Sequence, residues 1–84
     1  MNSEQLTDKT IEKLQELEKD INIPKNIKIK IKKIVDILRE GTELSIKINK
    51  SLNELDEISN DPNLEPYTRT QIWNIASILE KTNH

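Results

Sequence analysis

The chain has 84 residues, of which 33% are charged and 33% hydrophobic, with 13 basic and 15 acidic side chains, one His and no Cys. A single domain of this size buries only about 60% of the surface its unfolded form exposes, which argues against a large enclosed active site. The missing cysteines exclude disulfides and thiolate metal sites, and the near balance of charge provides no overall field for nucleic acid or anionic lipid.

The sequence repeats itself. Shifted by 41 positions it realigns without a gap, pairing Leu14 with Leu55, Asp20 with Asp61, Asn22 with Asn63, Ile31 with Ile72, Ile34 with Ile75, Ile37 with Ile78 and Leu38 with Leu79. Conservative pairs such as Leu17 with Ile58 and Val35 with Ala76 fall on the same rhythm. This predicts one domain, residues 1–84, made of two helical hairpins, 1–41 and 42–84.

From Ser3 to Ile21, apolar residues Ile11, Leu14, Leu17 and Ile21 recur at spacings of three and four, the mark of one helix stripe. Glu4 and Asp8 suit its positive N-terminal end. The next segment, Asn22 to Glu40, contains the alternation Ile27-Lys28-Ile29-Lys30-Ile31-Lys32, which alone reads as a strand. Its partner in the second half, with Ile72, Ile75, Ala76 and Leu79 at helical spacing, decides for a helix. Gly41, the only glycine, is expected to end that helix at positive φ, with Thr42 capping the next.

The third stripe is Leu44, Ile48, Leu52, Leu55 and Ile58, stopped by Asp61-Pro62. Asn22 and Asn63 are expected to cap the second and fourth helices, each of which should hold a proline, Pro24 or Pro66, in its first turn. Four helices joined by short corners predict an all-α, up-and-down four-helix bundle, with two stacked HEAT-like hairpins as the other packing.

Chemistry is sparse. His84, the sole His, sits in the C-terminal tail, so neither a zinc site nor an inward Glu-x-x-His pair can be assembled. No internal His can activate Ser45, Ser51, Ser59 or Ser77. The carboxylates Glu12, Glu16, Asp56 and Glu57 alternate with lysines as on a solvated helix face, and one glycine cannot form a phosphate loop. The expectation is a chain that is no enzyme and takes no cofactor or metal. No apolar run reaches the roughly 18 to 20 residues of a membrane span, and the polar N-terminus lacks a secretory core, so a soluble cytoplasmic protein without membrane contact is expected.

Two surfaces remain. The second helix has six cations against Asp36 and Glu40, a local +4, with Lys25, Lys28, Lys32 and Arg39 on one flank. They could hold phosphates, but no aromatic residue interleaves them to stack on bases, and their balance by packing between two acidic helices is the better-supported reading. The other surface is apolar. Ile29 and Ile46 point away from their helices' core stripes, and Trp73, Ile37 and Ile78 lie on the flanks, a candidate face for a partner protein or a second copy in a dimer.

The stretch Leu55-Asp56-Glu57-Ile58-Ser59-Asn60-Asp61-Pro62-Asn63, followed by Thr68-Arg69-Thr70 and Ile72-Trp73-Asn74-Ile75, resembles the signature of an uncharacterised family of small archaeal helical proteins. Where that pattern usually has proline at position 65, this chain has Glu65 and places Pro66 one later. The resemblance implies a cytoplasmic four-helix bundle and supplies no catalytic or ligand residues. Its matched polar or aromatic positions are Asp61, Asn63, Arg69, Trp73 and Asn74, which adds Asn74 to the candidate partner surface.

Overall fold

The computed structural model describes residues 2–82; the reading of His84 as a solvated tail lies outside the described residues. Four helices follow one another: α1 (Ser3–Glu18), α2 (Lys25–Leu38), α3 (Leu44–Ser59) and α4 (Pro66–Thr82). Among the described residues there is no strand. Each helix packs against the next, and α1 also packs against α4, while the diagonal pairs stay apart. This closed ring is the four-helix bundle, 32 × 20 × 19 Å. A HEAT-like stack would set α1 against α3, a contact that does not form.

The Ile–Lys alternation is helical. Ile27, Ile31 and Ile34 are fully buried whereas Ile29 is 62% exposed. A strand would have put Ile27, Ile29 and Ile31 on one face; at about 100° per residue the helix turns Ile29 away from its neighbours. Leu14, Ile48, Leu55, Ile58, Ile72, Ile75 and Leu79 complete the centre. Both aromatics, Tyr67 and Trp73, stay outside it.

The helix ends differ from expectation in physically clear ways. At the α1–α2 corner, Asp20 rather than Asn22 provides the acceptor: its Oδ1 takes the Asn22 N–H at 2.9 Å. Asp61 Oδ1 takes the Asn63 N–H at the same distance. The two asparagines therefore cap nothing with their side chains; each corner is an aspartate-centred turn that drives Ile23 or Leu64 into the base of the core. Because α1 stops at Glu18, Ile21 leaves its stripe and stands 90% exposed.

Pro24 precedes α2 at its cap position, while Pro66 opens α4 as expected. Thr42 does not cap α3; Glu43 holds that position without a side-chain hydrogen bond. Gly41 is not at positive φ, so the chain reverses there without a left-handed residue. Two local devices escaped the sequence reading. Asn2 and Gln5 form a reciprocal capping box at the start of α1, with Asn2 Oδ1 accepting the Gln5 N–H at 2.8 Å and Gln5 Oε1 accepting the Asn2 N–H at 3.1 Å. Arg69 reaches back from α4 and donates from Nε to the Ser59 carbonyl at 2.9 Å and from Nη2 to the Asp61 carbonyl at 3.0 Å. It thereby gives the Ser59 carbonyl, at the end of α3, a donor and adds a second to the Asp61 carbonyl, which already accepts the Leu64 N–H.

Candidate interaction surface

Antiparallel helices leave a shallow seam between them, and its character depends on which side chains rim it. Between α3 and α4 the seam has Leu52 and Ala76 as its apolar floor, with Trp73, Asp56 and Glu80 around them in a space of ≈ 220 Å³. Trp73 is 56% exposed there, so its ring borders the groove without filling it. Between α1 and α2 lies a corresponding groove of ≈ 420 Å³, rimmed by Gln15, Lys32, Val35, Asp36 and Arg39. Subtracting 41 converts one into the other: Asp56 to Gln15, Trp73 to Lys32, Ala76 to Val35, and Glu80 to Arg39. An aromatic and acidic groove thus has as its counterpart one of mixed charge, where Lys19, Lys32 and Arg39 stand with Glu18 and Asp36.

The remaining apolar candidates do not gather around Trp73. Ile29 and Ile46 are exposed, 62% and 45%, but each lies one turn from a residue of the α2–α3 seam, Lys33 and Lys50 respectively. Ile78 is half-buried and sits one turn beyond Ile75, which faces the α1–α4 groove with Tyr67. Asn74 is exposed beside Trp73. Ile37 is a correction: expected on the outer flank, it is only 8% exposed. The approach of α3 covers it, and the Lys33–Glu54 pair at 2.8 Å and the Lys50–Glu40 pair at 3.6 Å border the same seam.

The basic flank is only partly used inside the bundle. Helix α2 does lie between the acidic α1 and α3, yet the cross-helix pairs from α2 are made by Lys33 and Glu40. Lys25, Lys32 and Arg39 are exposed, Lys28 is half-buried, and none of the four joins an ion pair among the described residues. Lys32 and Arg39 share their groove with Glu18 and Asp36, which breaks up the positive field. Lys33 has its pKa raised above 10.5, first by its hydrogen bond to Glu54 and then by that carboxylate's charge.

A wider cleft, ≈ 720 Å³, opens where α2 ends, between Glu4, Asp8 and Ile11 of α1 and Leu44 and Lys47 of α3. Opposite charges face one another across it, with Arg39 beside Lys47 on the basic wall. Among the described residues no three His, Cys, Asp or Glu side chains come together as metal ligands would. No described helix is long and apolar enough to cross a membrane.

Sequence reasoning had assigned Leu52 and Ala76 to the core stripes and so missed them as a groove floor. Their half-burial follows from standing at the stripe's edge, where the neighbouring helix covers one side only. The signal that could have found the groove was the 41-residue offset itself, which sets Trp73 on Lys32 and Glu80 on Arg39.

The model of an uncharacterised protein family, UPF0147, matches residues 1–82. A UPF0147 protein of Methanocaldococcus jannaschii is 44% identical over 69 residues, covering 81% of this chain and 74% of the relative. One from Methanosarcina mazei is 43% identical over 68 residues, 80% and 73% of the two chains. Another, from Thermoplasma acidophilum, is 37% identical over 68 residues, 80% and 77%. No solved structure matches the chain. With a match along nearly its whole length and relatives in these archaea, the chain belongs to the uncharacterised protein family UPF0147.

Proposed function

We propose that this protein is a non-enzymatic interaction module that docks another protein on its α3–α4 groove, with Trp73 as the anchor. The observation that carries the reading is an indole 56% exposed at the rim of a groove floored by Leu52 and Ala76. Tryptophan is among the residues that contribute most when an interface covers them. Asn74, exposed next to it, would serve the rim. In this reading the partner is a separate protein or a second copy in a dimer, and the work is done in the cytoplasm.

The two halves, 1–41 and 42–84, are part of the same proposal as duplicated hairpins within one domain. Support comes from the helix bounds: α1 and α3 both start and end 41 residues apart, as do the starts of α2 and α4. Duplicated copies that diverge at a groove rim point to that rim as the place where a separate role arose.

Light scattering and purification from a native lysate, each performed with wild type and Trp73→Ala, test the proposal. The expected result is a co-purifying protein, or a dimer, that the substitution removes while the unfolding free energy from urea titration stays within about 0.5 kcal/mol of wild type. A strictly monomeric protein with no co-purifying partner, behaving identically with and without the indole, would overturn it.

A second reading uses the basic flank. Lys25, Lys28, Lys32 and Arg39 have no ion-pair partner among the described residues, which leaves them available to phosphates of a nucleic acid or ribonucleoprotein. It requires retention on RNA that weakens steeply with salt and is lost on charge reversal at those four positions.

A further inference from the structure

We infer that the α3–α4 groove selects a basic amphipathic helix, an inference that rests on reading this groove as the docking site. The groove presents an apolar floor, Leu52 and Ala76, between carboxylates at Asp56 on α3 and Glu80 on α4. A seam between two antiparallel helices receives a third helix by letting its side-chain ridge enter the groove. The space, ≈ 220 Å³, admits one or two aliphatic side chains, while the rest of such a helix would lie across the rim.

Charge then decides which helix. A partner with Lys or Arg on both sides of its apolar stripe meets Asp56 along one wall and Glu80 along the other, with the exposed indole of Trp73 beside them. An acidic helix would bring like charges together at both walls. Arg69, near the Ser59 end, does not reverse this preference, because its guanidinium is turned into the Ser59 and Asp61 carbonyls.

The α1–α2 groove provides an internal contrast. It has the same backbone frame, with Lys32 in place of Trp73, Arg39 in place of Glu80 and uncharged Gln15 in place of Asp56. There Lys19, Lys32 and Arg39 are interspersed with Glu18 and Asp36, so a basic helix meets a rim of mixed charge and no aromatic anchor. Of the two grooves, only the α3–α4 one combines an aromatic anchor with an acidic rim, which favours it as the docking site for this class of partner.

The chain has one Trp, so its emission reports on this groove alone. Two synthetic amphipathic peptides of about four helical turns, sharing one leucine stripe and flanked by lysines in one and glutamates in the other, are titrated into the full chain. The lysine peptide should shift Trp73 emission to the blue in a saturable way, with affinity falling about tenfold between low and physiological salt. The glutamate peptide should leave it unchanged, and Asp56→Lys with Glu80→Lys should reverse the preference. If the glutamate peptide bound as well as the lysine peptide, the charge class would be wrong although the groove still docked helices. Silence toward both peptides would overturn the inference, while the effect of Trp73→Ala on purification would still judge the docking reading separately.

Discussion

Thr10 and Ser51 occupy equivalent places 41 residues apart, and both are fully buried. Their hydroxyls are treated differently. Thr10 Oγ1 donates to the Leu6 carbonyl at 2.8 Å, whereas Ser51 Oγ has no partner among the described residues. A buried hydroxyl without a partner costs about 1–3 kcal/mol of desolvation that no contact returns. Ser51→Ala should therefore stabilise the bundle by about 1 kcal/mol, raising the urea midpoint, while Thr10→Val should lower it. A fall in the midpoint for Ser51→Ala would show that its oxygen has a partner after all. Single residues were also where the sequence was least legible. Asp20 and Asn22 are both good turn formers, and composition alone cannot say that the Asp20 carboxylate accepts while Asn22 contributes only its backbone N–H.

At the scale of the element, the helices were legible because burial has a period. Ile31, Ile34 and Leu38 match Ile72, Ile75 and Leu79 in both spacing and exposure, so the repeat could overrule the local β-like alternation at Ile27–Lys32. The candidate surface was less legible, because exposure on a flank depends on how closely the neighbouring helix approaches. Ile37 and Ile78 are the same residue at equivalent positions, yet α3 covers Ile37 while Ile78 remains half-buried. The α2–α3 seam also makes a pH prediction. Lys33 has a folded pKa above its ordinary 10.5 because Glu54 stabilises the ammonium. The contribution is therefore complete below pH 10.5 and is lost as pH rises through the folded value. A double-mutant cycle of Lys33→Met and Glu54→Gln should give a small coupling at neutral pH that vanishes at strongly alkaline pH. A coupling that persisted once the amine was neutral would show that packing, rather than charge, joins the two side chains.

For the molecule as a whole, closure matters more than chain order. Helix α1 packs on α4 as it does on α2, and the Ser3 hydroxyl donates to the Thr82 carbonyl at 3.5 Å, so the first and last turns lie side by side. At the connection between α2 and α3, residues 39–43 are exposed, and a methyl group added at Gly41 would meet nothing within 4 Å. A chain begun at Thr42 and joined from its old C-terminus to its old N-terminus by a short flexible linker would present the helices in the order α3, α4, α1, α2. The same four seams would be made, because the ring has no contact that depends on where the chain is cut. Such a permutant should fold to the same helicity by circular dichroism with a cooperative urea transition, losing about 1–2 kcal/mol to the new linker and the cut corner. It should also keep the α3–α4 groove and its Trp73 emission intact, since that hairpin is carried over whole. An unfolded permutant would mean that the 39–43 connection does more than link α2 to α3. A folded one would show that the two hairpins pack as interchangeable halves, with the difference between their groove rims carried as cargo on a common frame.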